Sequence, residues 1–418
     1  MILKNIQYYK FCFYGFLKNL RFFDPFIILF FREIGFSFLQ IGTLYSIREI
    51  STTILEIPTG LIADTYGRKK SMILSFTSYI LSFLIFYFFP NFTIYIFAMI
   101  LFAIGQAFRT GTHKAMILDY LKIKNISHQK IEYYGHTRGF SQFGSAISAL
   151  IAGVLVFYSG SYKIVFLGSV FPYILGLILL ISYPNELDGK IEKIKEKKTI
   201  KTIFNNFKNT ILSFFQMSKN PLLIKALFNS SLYDGLFKTI KDYLQPILQT
   251  FALSIPILLS IGEKRSTIFI SLTYFFIYLL TSYSSRKASR FSKKFSSLAF
   301  AINFSFILGI ILTIASGLFY AVDLKILTIV VFIILYAAQN IRRPLNIGYI
   351  SENISSKIMA TGLSVESQLK TLTIAILSPI MGFFADTFGI GLALIILSFL
   401  IIVLYPVIKV VRYSGVEK

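Results

Sequence analysis

The stretch EIPTGLIADTYGRKK, from Glu56 to Lys70, decides how this chain folds. It overlaps the end of one long apolar segment, 38–62, and fills the break before the next, 71–90. We expect it to form a short polar turn that joins two apolar helices. Gly60 and Gly67 permit a tight turn and a close approach of neighbouring helices.

The charged residues of this stretch, hereafter the 56–70 loop, have separate expected roles. Asp64 offers a carboxylate to a helix N-terminus or to a cation. Glu56 is interpreted as a structural partner of the same loop. Arg68 and Lys69 are expected to lie in the headgroup layer of a bilayer.

Composition excludes a set of ordinary soluble domains. Of the 418 residues, 55% are hydrophobic and 15% are charged, and the mean hydropathy is +0.69. Soluble domains carry about 25% charged residues. The net charge of +23 would suggest nucleic acid as a partner of a soluble protein, but here the charge is sorted into the breaks between apolar segments, so no nucleic-acid partner is expected.

The apolar segments predict twelve transmembrane helices, since a bilayer core needs about 20 apolar residues per helix. Charges interrupt the first and the seventh. The predicted spans are 8–31, 38–62, 71–90, 92–121, 137–159, 163–183, 221–249, 266–283, 297–318, 326–350, 361–385 and 391–411.

Two six-helix bundles are therefore predicted, at 1–183 and 221–418. A polar linker, 184–220, joins them. The apolar period within 199–217 favours an amphipathic helix on the membrane surface, and the alternative is a plain linker.

The basic residues predict the orientation. With both termini in the cytoplasm, 26 of the 42 lysines and arginines fall on the cytoplasmic side and 5 on the other. Cytoplasmic loops of membrane proteins carry such an excess. The chain is thus expected to be a multi-pass protein of the cell membrane.

An internal repeat relates the two halves. GFLKNLR at 15–21 matches GLFKTIK at 235–241, and QAFR at 106–109 matches QNIR at 339–342. A third match pairs GVLVFYSG at 153–160 with GFFADTFG at 382–389. A parallel repeat of six helices predicts a binding site between the halves, near the middle of the membrane.

With this context, the 56–70 loop resembles the signature of the major facilitator superfamily, which reads Gly-x-x-x-Asp-(x)-x-Gly-Arg-Lys/Arg. The resemblance covers the whole chain and implies the major facilitator fold: an all-α integral membrane protein of two pseudo-symmetric six-helix bundles. It implies alternating access, in which residues Glu56, Gly60, Asp64, Gly67, Arg68 and Lys69 form a conformational latch. The segments at 109–120 and 342–346 resemble a poorly characterised prokaryotic branch.

Two family motifs are altered. The Arg-x-x-x-Gly motif of the fourth span is not in register, although Arg109 could act from another turn. The Gly-Pro of the fifth-span antiporter motif is missing, because Ser145 stands where proline is expected. This difference argues against an exporter.

Charges inside spans are costly, about 2.5–3.5 kcal/mol each, so they normally face a cavity or one another. One hypothesis is a ring of cations that binds an anionic solute. A second is internal pairing with nearby carboxylates, and a third is a cationic or neutral substrate. The predicted cavity cations are Lys18, Arg21, Arg48, Arg109, Lys238, Lys241 and Arg342.

Proton coupling would need a carboxylate or histidine whose protonation follows its exposure; the candidates are Asp24, Glu49 and Asp234. The sequence predicts a secondary transporter of a small anionic organic solute, coupled to a proton or sodium. The alternative is a proton-coupled exporter of amphipathic drugs or lipid-like compounds. We expect no enzyme activity, no cofactor and no metal, a lipid bilayer as surroundings, and a monomer.

Overall fold

The structure is a computed structural model that describes residues 4–188, 220–255, 267–352 and 359–411. Within these ranges the chain is helical, with loops and short 3-10 turns between the helices. The predicted amphipathic helix of the linker lies outside the described residues, and so do the side chains of Asp64 and a few other positions.

The helices before the linker follow the predicted spans closely. They are α1 (Ile6–Leu17), α2 (Ile27–Glu33), α3 (Phe38–Tyr66), α4 (Arg68–Phe88), α5 (Phe92–Arg109), α6 (Thr112–Ile123), α7 (Lys130–Ser159) and α8 (Ile164–Ile181).

The helices after the linker form a second series. They are α9 (Pro221–Ile240), α10 (Leu244–Leu253), α11 (Thr267–Arg286), α12 (Ala288–Ser292), α13 (Leu298–Ala321), α14 (Lys325–Glu352) and α15 (Met359–Ile408).

Eight of the described helical segments are long and apolar enough to cross a membrane. The expected spans 361–385 and 391–411 fall within Met359–Ile408, labelled α15, where two helices meet at a kink with non-helical backbone at Gly389. The prediction of an all-helical membrane protein is confirmed, whereas the count of twelve spans stays a prediction.

The two interrupted spans break where their charges lie. Between α1 and α2 the chain leaves the helix at 18–26, and between α9 and α10 a 3-10 turn covers Lys241–Tyr243. The repeat aligns Arg21 with Lys241, so both breaks fall at corresponding positions. Broken helices place polar groups and free backbone inside a membrane protein, where they can meet a ligand.

Contacts divide the chain into two compact units. The first comprises Met1–Ile34, Ile47–Asn206 and Ile255–Leu279, and the second comprises Gly35–Ser46, Phe207–Ser254 and Leu280–Lys418. The start of α3 thus belongs to the second unit and the start of α11 to the first. The domain boundaries expected from the sequence stay a prediction.

Helices of the first unit pack through small and hydroxyl residues. The Ser75 hydroxyl donates to the Gly105 carbonyl at 2.6 Å, and the Ser82 hydroxyl donates to the Ala98 carbonyl at 2.8 Å. Such bonds join α4 to α5 where no water competes. On the other side of the unit, the Asn19 amide donates to the Ser141 carbonyl at 2.6 Å and fixes the end of α1 against α7.

Candidate substrate-binding site

The break in the first span presents charged side chains inside the first unit. Lys18 caps the C-terminus of α1, and Arg21 and Asp24 follow in the non-helical segment. Asp24 lies close enough to Arg21 to act on its charge. The sequence prediction that these residues share one helix face is wrong, because the helix ends before Arg21.

Two arginines of this unit are each held by one tyrosine. The Nε of Arg21 donates to the Tyr173 hydroxyl at 3.1 Å, and the Nε of Arg109 donates to the Tyr79 hydroxyl at 3.4 Å. Among the residues that the structure describes, the terminal amino groups of both side chains have no hydrogen-bond partner. Each guanidinium is therefore positioned by Nε, while the pair of terminal N–H groups that can grip an oxyanion stays open.

Aromatic rings line the same region. The ammonium of Lys18 lies 5.8 Å from the centre of the Tyr14 ring, and that ring stacks on His113 with 3.7 Å between ring centres. The guanidinium of Arg21 lies 5.8 Å from the centre of the Tyr79 ring. The negatively charged ring faces attract the cations without using their N–H groups as hydrogen-bond donors, so these N–H groups can still donate to a ligand.

Arg48 differs from its neighbours because it has a carboxylate partner. Its Nη2 lies 2.8 Å from a carboxylate oxygen of Glu49. It also shares the ring of Phe102 with Arg21, at 5.8 and 5.7 Å from the ring centre. The structure thus brings Lys18, Arg21, Arg48 and Arg109 into one region of the first unit and joins Glu49 to Arg48. Their role as cavity cations stays a prediction.

Arg138 and the tyrosines were missed by the sequence reasoning. Arg138 lies within α7 and acts electrostatically on Lys18. Its position inside the predicted span 137–159 was a usable signal, because charges inside spans normally face a cavity or one another. Tyr14, Tyr79 and Tyr173 gave none, because tyrosines are spread along the whole sequence.

Arg342, the repeat partner of Arg109, has a different environment. It is fully buried in the second unit. Its Nη1 donates to the Ile302 carbonyl at 2.5 Å and to the Ser305 hydroxyl at 2.9 Å, and its Nη2 donates to the Asn229 side chain at 2.5 Å. The terminal amino groups of this arginine therefore join α14 to α9 and α13.

The remaining predicted residues of the second unit lie along α9 and the break after it. Lys241 forms an ion pair with Asp242. Asp234 accepts a hydrogen bond of 2.7 Å from the Gln339 amide, and Lys238 is exposed. The carboxylate of Asp242 thus offsets the charge of Lys241 in the second unit.

The turn expected over 56–70 is confined to Gly67, because α3 continues to Tyr66 and α4 begins at Arg68. The expectation that Gly60 takes part in the turn is wrong, since Gly60 is helical. Gly67 has a positive φ of 101° and precedes α4. Arg68 pairs with Asp119 of α6, and the Lys69 backbone N–H donates to the Asp188 carboxylate at 2.7 Å. Glu56 lies part-buried within α3, and Gly60 is exposed on the same helix.

A near copy of this loop lies at the end of the first part of α15. The sequence analysis did not identify the match between the two segments. GLIADTYG at 60–67 and GFFADTFG at 382–389 share five of eight residues. Their last glycines have similar backbone angles, with φ of 101° at Gly67 and 81° at Gly389. The carboxylate of Asp386 accepts bonds of 2.9 and 2.8 Å from the N–H groups of Phe38 and Leu39 at the start of α3.

Comparison with known proteins identifies the family. The family model described as the Major Facilitator Superfamily matches residues 11–365, so the chain belongs to this superfamily of membrane transporters. It is similar to the uncharacterized MFS-type transporter YxaM of Bacillus subtilis (strain 168), with 23% identity over 95% of this chain and 92% of that protein. A second relative, the uncharacterized MFS-type transporter MJ1560 of Methanocaldococcus jannaschii, is 25% identical over 52% of this chain and 55% of its own length.

Solved structures share the fold. A mutant of the nucleoside transporter NupG superposes with a TM-score of 0.76 at 13% identity, covering 97% of this chain and all of that one. The peptide transporter POT, crystallised with sulfate, gives a TM-score of 0.70 at 14% identity, with 96% and 94% covered. At such identities the likeness shows the fold alone. The chain is thus a multi-pass membrane transporter and not an enzyme.

Proposed function

We propose that this protein is a secondary transporter that moves a small anionic organic solute by alternating access. The solute binds in the first unit, where Lys18, Arg21 and Arg109 converge. The protein acts as a monomer in the cell membrane, with both termini in the cytoplasm as the basic loops favour.

One observation carries this proposal: the open terminal amino groups of Arg21 and Arg109. A guanidinium that only stabilises packing uses these groups, as Arg342 does with Ile302, Ser305 and Asn229. Among the described residues, Arg21 and Arg109 bond only through Nε, to tyrosine hydroxyls. Two parallel N–H bonds to a carboxylate or phosphate are the strongest contacts that such a group makes.

A second candidate substrate is an amphipathic compound, as an exporter of drugs or lipid-like molecules would carry. A groove of about 560 Å³ on the first unit supports it. The lining residues are Tyr8, Gly135, His136, Gly139, Phe140 and Phe143. The fifth-span antiporter motif lacks its proline, because Ser145 stands in that place, and this argues against an exporter.

Uptake into proteoliposomes tests the two candidates. Labelled organic anions are supplied with and without a pH gradient, and amphipathic cations serve as the competing substrate class. Anion uptake is expected, and R21K and R109K are expected to lower it at least tenfold, because lysine keeps the charge but cannot form two parallel bonds. R290K is the matched control, because Arg290 of α12 is exposed, and it is expected to keep full uptake. Anion uptake by R21K and R109K at the full rate would refute the proposed site.

We propose that one carboxylate among Asp24, Glu49 and Asp234 couples solute transport to the movement of the ion. Asp24 is the first choice because it lies beside Arg21 in the broken segment. Neutralisation by D24N is expected to abolish the stimulation of uptake by a pH gradient and to leave exchange of anion for anion intact. If a sodium gradient drives wild-type uptake and a pH gradient does not, the coupling ion is sodium.

A further inference from the structure

A buried amide in the second unit has an oxygen without a partner. Gln339 of α14 is 7% exposed, and its amide nitrogen donates to one carboxyl oxygen of Asp234 on α9, Oδ1, at 2.7 Å. Its carbonyl oxygen, Oε1, has no hydrogen-bond partner among the described residues. Buried polar atoms are normally hydrogen-bonded, so an exception of this kind can mark a functional group.

The carboxyl group of Asp234 has the complementary feature. It is 5% exposed, and the bond from Gln339 is the hydrogen bond that it makes within the described ranges. Its second oxygen, Oδ2, therefore has no donor there. The two atoms of an amide share one carbon, and so do the two oxygens of a carboxyl group. The bond of 2.7 Å thus keeps the two unbonded oxygens near each other.

Arg342 acts on this carboxyl group without bonding to it. The guanidinium lies one turn after Gln339 and within electrostatic reach of Asp234. Its terminal amino groups are bonded elsewhere, to Ile302, Ser305 and Asn229. The second oxygen of Asp234 is therefore not taken by these amino groups.

The other helices around α9 bring mostly paired or exposed charges. Glu366 of α15 accepts from the Ser230 hydroxyl at 2.8 Å, one turn before Asp234, and α13 carries no charged side chain. Lys238 lies one turn after Asp234 and is exposed. The remaining titratable groups on α9, on the turn after it and on the facing part of α15 are Tyr233, Lys370 and the ion pair of Lys241 with Asp242.

We propose that Asp234 and Gln339 form a proton-binding site of the second unit. One proton, taken from water, binds to Oδ2 of Asp234 and is donated to Oε1 of Gln339, while the amide nitrogen keeps its bond to Oδ1. The carboxylic acid and the amide then share two hydrogen bonds, and both unbonded oxygens are satisfied. The O–H bond is the covalent bond that forms, and the carboxyl group loses its negative charge.

The site changes the charge beside Arg342 without separating α9 from α14. With Asp234 ionised, one hydrogen bond joins the two helices and a negative charge lies near the guanidinium. With the proton bound, two hydrogen bonds join them and that charge is gone. The site needs no solute, so it takes up its proton whichever carboxylate couples transport, Asp24 of the first unit included.

Infrared difference spectra of the purified full chain test the site, recorded without solute between about pH 8 and about pH 5. A protonated carboxyl group has a C=O stretch that an ionised one lacks, and exposed carboxylates, with pKa values of about 4, stay mostly ionised in this range. The acidic spectrum of the wild type is expected to contain a carboxyl band that D234N lacks. D234N is expected to fold, because the asparagine amide can donate to the same oxygen of Gln339. D323N is the matched control and keeps the band, since Asp323 lies on the surface and pairs with Lys325.

The variant Q339M tests the acceptor. Methionine has a similar length but lacks both amide atoms, so the protonated carboxyl group loses its two hydrogen bonds. The band is expected to remain and to shift to higher frequency. The matched control is N340L on the same helix, because the Asn340 amide donates to the Tyr336 carbonyl instead, and it leaves the band in place.

Two outcomes overturn the inference. If the acidic spectra of the wild type and D234N are the same, Asp234 takes up no proton. If Q339M leaves the frequency of the band unchanged, Gln339 is not the acceptor, and this result decides alone if D234N does not fold. Neither outcome changes the expected anion uptake or the effects of R21K and R109K, so the proposed function is tested separately.

Discussion

Arg109 and Arg342 occupy matched positions of the repeat but have opposite hydrogen-bonding patterns. Arg109 contacts one tyrosine through Nε, whereas Arg342 uses both terminal amino groups on α9 and α13. We therefore assign a binding role to the first and a structural role to the second. The cationic ring expected from the sequence, with equal roles for both, stays a prediction.

The variant R342A tests this assignment at the level of one residue. It removes the charged donor that bonds to the buried Asn229 amide oxygen and to the Ile302 carbonyl, and is expected to cost roughly 3 kcal/mol of unfolding free energy. Thermal unfolding in detergent measures the loss. R109A is the comparison, with an expected loss below about 1 kcal/mol because only one long bond disappears. Equal losses in the two variants would contradict the assignment.

Helix α3 ends at a glycine whose conformation other residues avoid. Gly67 has φ of 101° and ψ of 141°, and a Cβ there would lie 2.8 Å from a carboxylate oxygen of Asp188. The variant G67A is expected to lower the unfolding free energy by about 1–3 kcal/mol.

The control for this prediction lies seven residues earlier. Gly60 belongs to the same signature, but it is helical and a Cβ there would meet nothing within 4 Å. G60A is therefore expected to be neutral or to stabilise the helix by about 0.5–1 kcal/mol. A Tm for G67A equal to that of G60A would show that the turn tolerates a side chain.

Asp386 caps the N-terminus of α3 through its bonds to Phe38 and Leu39. The strength of this cap can be tested by the accessibility of a buried residue that packs on α3. Ser378 is 2% exposed and lies against Gly42 of the same helix. Loss of the cap in D386A costs about 1 kcal/mol. Labelling of S378C by a thiol reagent should then accelerate about fivefold. Cys12 is 1% exposed and adds little background.

The exposed ion pair of Asp323 with Lys325 supplies the control. D323A removes a carboxylate that does not cap α3. The labelling rate of S378C is therefore expected to stay unchanged in D323A. Equal rates with and without D386A would mean that the carboxylate does not hold α3.

Apolar segments predicted the helices well, because length and hydropathy alone define a membrane span. The breaks at 18–26 and 241–243 were also visible as charges within apolar runs. The hydrogen-bond partners of Arg109 and Arg342 were not, since they depend on which distant tyrosine or asparagine packs against each helix. The copy at 382–389 was overlooked because the repeat offset aligned that segment with 153–160.

At the scale of the whole molecule, the orientation is open to a direct test. The basic residues predict that the segment with Ser289 faces the cytoplasm and that the end of α7, with Ser159, faces the other side. Both serines are exposed. A membrane-impermeant maleimide on intact cells should label S159C and spare S289C, and disrupted cells should show both labelled. The reverse pattern would invert the proposed topology.

The cations of the proposed binding site have an electrical consequence. Moving one charge across the membrane potential involves about 2.3 kcal/mol per 100 mV. If Arg21 and Arg109 bind the solute, their positive charge moves with the site as the carrier reorients. A bound anion offsets part of that charge. We therefore expect voltage to govern the return of the empty carrier far more than the transit of the loaded one.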